Sequence, residues 1–337
     1  MTSDARPVTS IRLTPTAPAT AVIDALADAH GGRRGVADVL HDLSRHGRRG
    51  FAPGRAVRHA VTWDCADRHD PTWWPQGISS SADSSPSERV HGLRLLAVSW
   101  YSKAGLGSRI SFLDPDTRRY QHVRLGRARA ADGGGVASLA PLKAHAGGLV
   151  WHGPWLYVAA TARGIHVAHV DDVMRVDGEW VLPVRFTYAA SAEDPDEPLR
   201  FSFLSLDRTE PVSLLVGEYG RTGQSTRLAR FPLDPSTHLL AGAEDGVSRP
   251  AWIDPNGPLQ AQGAVVARGR LHLTMSQGRR RPGSVYAGSL GSLRRRRYAA
   301  PVGPEDLTYW PSTDLLWSVT EHPPWRWVFA MPRRWYD

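Results

Sequence analysis

Three short motifs carry side chains that can hold or transfer a proton. Gln76-Gly77, Gln262-Gly263 and Glu305-Asp306 each open an apolar β segment. A carboxyl group that is partly desolvated keeps its proton to higher pH than in water, and a carboxamide offers two donors and one acceptor. The three motifs therefore predict a polar site where Glu305 exchanges a proton while Gln76 and Gln262 orient a carbonyl or hydroxyl group.

A histidine and several further polar residues complete the candidate site. His145 is the second candidate for proton transfer, because an imidazole titrates near neutrality. Asp306 is expected to cap strand ends, since alternation along a strand points its side chain away from that of Glu305. The side chains predicted to bind a ligand are Gln76, Ser202, Glu218, Tyr219, Gln262, Asp306 and Glu321. The alternative is that these groups only satisfy one another and bound water.

Motifs for other chemistries are missing from the chain. It contains no GxSxG, HExxH, Walker or dinucleotide-binding glycine pattern. No cofactor and no dedicated metal-ligand set is predicted. One alternative stays open, a divalent-metal hydrolase with Ca²⁺ bound in a central channel by Glu305, Asp306 and main-chain carbonyls.

A long repeat places the three motifs in one register. Five apolar β runs end in small or polar residues, and they begin at Leu95, Leu156, Leu214, Leu271 and Leu315. Their spacing of 44 to 61 residues suits one four-stranded propeller blade with variable loops. A glycine or polar motif precedes each run. In a propeller the first strand of each blade lines the central channel, so equivalent positions in these strands form a ring.

The fold predicted from this repeat is an all-β, five-bladed β-propeller over residues 55–337. A strand at residues 58–64 is expected to close the ring by pairing with the last blade near Val328. Residues 1–54 are expected to form an N-terminal extension with two short helices, at residues 21–29 and 36–44, where apolar residues recur with helical spacing.

Composition narrows the class of protein further. Cys65 is the only cysteine among the 337 residues, which excludes an intrachain disulfide scaffold. The net charge of +8 comes almost entirely from arginine, since Lys103 and Lys143 are the only lysines. Such a skew is typical of coding bias and no basic module accompanies it, so nucleic acid is not a predicted partner. Without a signal-like or membrane-spanning apolar run, a cytoplasmic protein is expected.

Several motifs together resemble a family of uncharacterised actinobacterial propeller proteins, over about residues 55–332. The resemblance is carried by Trp74-Pro75-Gln76-Gly77-Ile78, Ser81-Ala82-Asp83, Val98-Ser99-Trp100-Tyr101-Ser102-Lys103, His145-Ala146-Gly147-Gly148-Leu149, Gln262-Gly263-Ala264 and Pro304-Glu305-Asp306-Leu307. It implies an actinobacterial origin and supplies no activity. Many members carry an export signal, which is not evident here, so recruitment to intracellular natural-product metabolism is one expectation.

Two functions follow from the sequence as hypotheses. The first is a cofactor-independent enzyme that acts on a small molecule by acid–base chemistry, as a lyase, cyclase or isomerase. The second is a non-catalytic propeller that binds a ligand or carbohydrate, or serves as a scaffold. The ring residues differ from blade to blade, which favours one axial site over five equivalent ones. The oligomeric state is left open.

Overall fold

The strands of the chain assemble into five sheets. The computed structural model describes residues 11–131, 135–192 and 198–337. Within these ranges the strands, numbered in chain order, form sheets of eight, five, four, four and five strands. Only the third and fourth sheets thus have the four strands that the sequence predicts for every blade, because N-terminal strands and a long insertion extend the other three.

The first two sheets are the most elaborate. The first contains, in order, β5 (Trp73–Ser80), β6 (Leu96–Ser102), β7 (Ser108–Leu113) and β8 (Arg119–Arg129). Three further strands pair with β8: β2 (Arg45–His46), β9 (Ser138–Pro141) and β14 (Glu179–Pro183). The last strand of this sheet, β13 (Met174–Val176), pairs with β14. The second contains, in order, β10 (Leu149–His152), β11 (Trp155–Ala159), β12 (Gly164–His169), β15 (Phe186–Ala192) and β1 (Ile11–Pro15).

The other three sheets follow the chain more simply. The third contains β16 (Phe203–Asp207), β17 (Ser213–Gly217), β18 (Leu228–Pro232) and β19 (Trp252–Asp254). The fourth contains β20 (Ala261–Ala267), β21 (Arg270–Met275), β22 (Ser284–Gly288) and β23 (Arg294–Arg296). The fifth contains β24 (Pro304–Trp310), β25 (Leu315–Thr320), β26 (Trp327–Pro332), β4 (His59–Thr62) and β3 (Arg48–Arg49).

The sheets have a propeller-like arrangement. The five apolar runs of the repeat coincide with β6, β11, β17, β21 and β25, and each of these is the second strand of its own sheet. The first strands β5, β10, β16, β20 and β24 contact one another in that order, and β24 contacts β5 again. The prediction of an all-β, propeller-like fold is confirmed.

Ring closure depends on a strand from the N-terminal side of the repeat. β4 pairs antiparallel with β26, and Val61 lies opposite Val328. The predicted closing strand is therefore confirmed. This pairing joins segments from opposite ends of the chain, so it covers the edge of β26 that would otherwise be open to other chains.

The hydrophobic core lies between neighbouring sheets. Phe112 of the first sheet packs against Trp151 of the second, with ring centroids 5.3 Å apart. Further clusters fill the spaces between the second and third, third and fourth, and fourth and fifth sheets. Ile78, Trp310 and Val328 belong to the cluster that joins the fifth sheet to the first. Each strand alternates its side chains between two covered faces, which explains its nearly continuous apolar sequence.

Glycines allow the first strands to lie backbone to backbone near the axis. A Cβ placed on Gly148 would lie 2.1 Å from the Leu204 nitrogen, and one on Gly263 would lie 2.5 Å from the Asp306 Cα. Any side chain at either position would push neighbouring sheets apart.

Helices are short and lie outside the sheets or in their loops. They are α1 (Thr20–Ala29), α2 (Gly35–His41), α3 (Cys65–His69) and α4 (Ser81–Ser84), with 3-10 turns at Val170–Asp172, Pro311–Thr313 and Arg333–Tyr336. Ile23 and Leu26 of α1 pack against Met174 and Val181 of the first sheet. None of the helices in the described ranges is long and apolar enough to cross a bilayer.

Candidate functional site

Irregular strand pairing positions the three motif side chains. The register between first and second strands shifts between Pro75 and Ile78, between Ala261 and Gly263, and between Pro304 and Leu307. A shift of this type leaves residues out of the ladder and re-aims their side chains. Gln76, Gln262 and Glu305 all lie within these irregular steps, so three different sheets present polar side chains at corresponding places.

Glu305 is a buried carboxyl group with an amide partner. Its residue is 3% exposed, and Oε1 accepts a hydrogen bond of 3.1 Å from Gln262 Nε2. Burial raises the pKa of Glu305 well above its ordinary value, and the negative charges of Glu321 and Asp306 raise it further. Glu305 therefore keeps its proton to higher pH than an exposed glutamate does, and the protonated group can act as a donor.

Glu321 is a second carboxyl group in the same neighbourhood. It directly follows β25, and its Oε2 accepts a hydrogen bond of 3.2 Å from Gln76 Nε2. Burial raises its pKa, while the Gln76 bond and the positive charges of Lys103, Arg279 and Arg326 oppose that rise. Its side chain retains 18% exposure, so Glu321 is more accessible to a ligand than Glu305.

Tyr101 links the two carboxyl groups to His145. Burial raises the pKa of Tyr101 to about 12, and the charges of Glu321 and Glu305 contribute to the rise. The His145 ring lies 4.5 Å from the Tyr101 ring, centroid to centroid. We call the group formed by Gln76, Tyr101, Gln262, Glu305 and Glu321 the axial mouth.

His145 lies at the edge of the axial mouth. It is exposed to solvent on one side, and its contact with the group is through Tyr101. Desolvation by the protein atoms around it lowers the pKa of His145, and the charge of Lys103 lowers it further. His145 is thus neutral at neutral pH, and it does not bond directly to Glu305 as a proton relay between the two would require.

Tyr101 of the axial mouth and three residues beside it were not predicted from the sequence. These three are Lys103, His322 and Arg326. Arg326 is fully buried, and its Nε donates a 3.0 Å hydrogen bond to the carbonyl of Glu321. Tyr101 could have been found from the repeat, because it lies six residues after Leu95, as Glu321 lies six residues after Leu315.

Glu218 is not part of the axial mouth. Its carboxylate accepts hydrogen bonds from Arg227 Nε at 3.0 Å, from Arg227 Nη2 at 2.9 Å, from the Arg200 N–H at 2.8 Å and from Ser225 Oγ. Burial alone would raise the pKa of Glu218, but these bonds lower it below the ordinary value. Glu218 is therefore an ionised group that holds the loop after β17.

The predicted residues Ser202 and Tyr219 are also separate from the axial mouth. Ser202 donates its backbone N–H to the Gly217 carbonyl, 2.9 Å away, and so continues the pairing of the third sheet. Tyr219 hydrogen-bonds with the exposed Arg221. Neither side chain forms a hydrogen bond with Glu305 or Glu321 in the described part of the chain.

Asp306 binds the first strands together at the axis. Its Oδ2 accepts the N–H groups of Ile78 and Leu149, each at 3.2 Å. Leu149 is the first residue of β10, so its contact with Asp306 is the strand-end cap that the sequence predicts. Ile78 lies inside β5, so its contact with Asp306 is not a cap. Burial raises the pKa of Asp306 well above its ordinary value, the charge of Asp83 adds to this, and the two N–H bonds act against it.

The calcium alternative uses Glu305, Asp306 and main-chain carbonyls as ligands. Among residues 11–131, 135–192 and 198–337, no group of three or more His, Cys, Asp and Glu side chains could hold a metal ion. The predicted set has only two such side chains, and Oδ2 of Asp306 already accepts two N–H groups. Calcium binding by this set stays a prediction.

Two cavities lie away from the axial mouth. One of about 540 Å³ lies between β8, β9 and β12, and one of about 410 Å³ lies beside Pro15 and Tyr188. Neither is lined by Glu305 or His145.

Fold and site together define an all-β, propeller-like protein with a polar axial cluster. No family model and no curated protein matches the chain. Among solved structures it is similar to a gluconolactonase from Xanthomonas campestris, at 13% identity and a TM-score of 0.36, over 85% of this chain and 84% of that one. It is also similar to a GH43_1 enzyme from Xanthomonas citri, at 14% identity and a TM-score of 0.38, over 87% of this chain and 92% of that chain.

A third similar structure is an exo-beta-1,3-galactanase from Phanerochaete chrysosporium. Identity is 12% and the TM-score is 0.41, over 84% of this chain and 64% of that chain. At these values the three similarities support no inference about activity, and the functional argument depends on the residues of the axial mouth.

Proposed function

We propose that the axial mouth binds a small polar molecule and that Glu305 and Glu321 exchange protons with it. The observation that carries this proposal is the amide-capped carboxyl pair, with Gln262 on Glu305 and Gln76 on Glu321. One carboxyl group is buried and the other is partly exposed. Two carboxyl groups in different environments are the pattern found where one acts as acid and the other as base.

The environments assign a role to each carboxyl group. Glu305 is the acid, because burial keeps its proton in place. Glu321 is the base, because it is more exposed than Glu305, and Gln76, Lys103, Arg279 and Arg326 offset part of the rise in pKa that burial causes. In one turnover Glu321 removes a proton from the ligand and Glu305 donates a proton to it, after which exchange with solvent restores both groups. A lyase, cyclase or isomerase needs these two transfers and no cofactor.

A non-catalytic ligand-binding propeller is the second candidate. It is favoured by the 3% exposure of Glu305 and by the way the amides and carboxyl groups already satisfy one another. In that case the axial mouth stabilises the ring and a ligand contacts only its outer members, Glu321 and Tyr101.

We also propose that the five sheets are the five blades of the propeller predicted from the repeat. The support is the ring of contacts among first strands and the five apolar clusters between successive sheets. The actinobacterial resemblance, the cytoplasmic location and a role in natural-product metabolism remain predictions.

Deuterium exchange separates the two candidate functions. Neutral sugars, polyols and hydroxy ketones are first screened for thermal stabilisation of the wild-type protein. Each ligand that stabilises it is then incubated with enzyme in D₂O, and deuterium incorporation or conversion is followed by NMR. We expect Glu305→Gln and Glu321→Gln to slow exchange by about 10²–10⁴-fold, the usual contribution of a positioned acid or base.

The matched control is Glu179→Gln, which changes the same chemical group at the exposed first residue of β14. It should exchange at the wild-type rate. Ligands that stabilise the protein but show neither exchange nor conversion would favour the binding propeller instead.

A further inference from the structure

The larger cavity lies toward the outside of the propeller, between the first and second sheets. Its volume is about 540 Å³, and its walls come from β8, β9, the residues that follow β9, and the start of β12. Cavities of roughly 300–1,000 Å³ are the usual size for small-molecule sites. This cavity shares no residue with the axial mouth.

Positive side chains dominate the lining. Arg127, Arg129, Lys143 and Arg163 line the cavity, and the described residues of its lining include no carboxylate. None of the four forms an ion pair with a carboxylate among the described residues, in contrast to Arg185 with Asp172 or Arg208 with Asp83. Uncompensated cations around a concave surface give it a positive potential that attracts anions.

His166 adds a buried hydrogen-bond donor to the same cavity. It is 3% exposed, and its Nδ1 lies 2.9 Å from Thr187 Oγ1 and 3.5 Å from Arg127 Nη2. A guanidinium group only donates, so Nδ1 accepts and the ring proton belongs on Nε2. Burial, together with the charges of Arg127 and Arg163, lowers the pKa of His166 to about 4. A neutral ring with Nε2–H available is thus part of the lining.

We propose that this cavity is a binding site for a small molecule that carries a phosphate or sulfate group. Arg127 and Arg163 bind the oxyanion through charged N–H donors, and His166 Nε2–H gives a further hydrogen bond. The planar guanidinium fork suits tetrahedral oxyanions, and charge-assisted bonds of this kind are the strong ones. The cavity has the volume of a small-molecule site, so the proposal commits to a small ligand rather than to the backbone of a nucleic acid.

The test uses inorganic phosphate, inorganic sulfate and a sugar phosphate as probes. Their binding to the full chain is measured by calorimetry, with chloride at matched ionic strength as the reference. The test variant is Arg127→Ala/Arg163→Ala. The matched control is Arg294→Ala/Arg297→Ala, which removes the same charge from exposed residues at the edge of the fourth sheet.

We expect the wild type and the control to bind at least one probe with equal affinity. The Arg127→Ala/Arg163→Ala variant should bind it at least about tenfold more weakly, as expected for two lost charge-assisted contacts. Preference for the sugar phosphate over inorganic phosphate identifies an organic ligand, and the reverse identifies the free anion. Arg127→Lys/Arg163→Lys keeps the charge but not the fork, and it should also lose affinity.

Three results would overturn the proposal. The first is that no probe binds more strongly than chloride. The second is that both alanine double variants lose affinity equally, which would make the effect one of net charge. The third is that a short DNA duplex binds more tightly than every small probe, which would assign the cations to a nucleic-acid surface.

Discussion

Asp67 and Glu305 are equally buried carboxyl groups with opposite electrostatic surroundings. Each residue is 3% exposed. Asp67 accepts hydrogen bonds from Tyr120 Oη at 2.6 Å, Arg109 Nη2 at 2.7 Å and His122 Nε2 at 2.8 Å. Among the described residues, Glu305 has only the neutral amide of Gln262 as a side-chain partner of its carboxyl group.

The partners of a buried carboxyl group, rather than its depth, decide its charge. Burial would raise the pKa of Asp67, but His122, Arg109 and Tyr120 lower it far below the ordinary value. Burial raises the pKa of Glu305, the charges of Glu321 and Asp306 raise it further, and no cation in the described part of the chain offsets the rise. A compensated carboxylate such as Asp67 stabilises the fold, whereas an uncompensated one keeps a proton that can be transferred.

The largest loss of stability should come from removing the charge of Asp67, the carboxylate that cationic and hydroxyl partners compensate. Asp67→Asn removes the negative charge beside Arg109, which is 8% exposed and would be left as a buried, unpaired cation. Loss of one partner of a buried ion pair costs about 3–5 kcal/mol. We expect the free energy of unfolding to fall by that amount in urea titrations at neutral pH. A loss under about 1 kcal/mol would contradict the distinction between the two carboxyl groups.

Glu305→Gln should show a smaller effect that depends on pH. The folded-state pKa lies above the ordinary value of 4.5, so the folded protein binds more protons than the unfolded chain between these two values. The contribution of Glu305 to stability is therefore complete below about pH 4.5 and is lost as pH rises through the folded-state pKa. Glutamine does not titrate, so the free energy of unfolding of Glu305→Gln should match that of the wild type within about 1 kcal/mol at low pH.

The measurement is the free energy of unfolding of both proteins from pH 4.5 to pH 9. The difference should grow in favour of Glu305→Gln as pH rises, with a slope of at most about 1.4 kcal/mol per pH unit for one proton. A constant difference across this range would show that Glu305 is ionised in the folded protein.

The smallest effect should come from an exposed carboxylate. Glu179 pairs with Arg124 at 2.6 Å, and its side chain is 58% exposed. Surface ion pairs contribute about 0–1 kcal/mol, and salt screens them. Glu179→Gln should change the free energy of unfolding by no more than that at low salt, and the difference should disappear near 1 M NaCl. A larger loss of stability would show that the exposed Glu179–Arg124 pair contributes as much to the fold as a buried pair such as that of Asp67.

Much of the fold could be predicted because its signals are local. The second strands, the closing strand at Val61 and the close approach at Gly148 and Gly263 follow from apolar runs and from the size of glycine. The extra strands of the first, second and fifth sheets could not be predicted, because strands such as β1, β2 and β3 depend on the edges that other strands offer.

The site was predicted less completely than the fold. Gln76, Gln262, Glu305 and Glu321 belong together, while Glu218 pairs with Arg227 and Asp306 bonds to backbone N–H groups. Glu305 and Asp306 are neighbours in β24 but have different partners, and both lie where the pairing of that strand is irregular.

Sequence alone determined the repeat, the ring and the register of the three polar motifs, because periodicity and glycine positions act over a few residues. Only the tertiary structure decided which carboxyl groups are charged and where cations stay unpaired. Gln76 lies 245 residues from Glu321, and Gln262 lies 43 residues from Glu305. The pKa of a buried group depends on distances between such remote residues, and folding alone sets those distances.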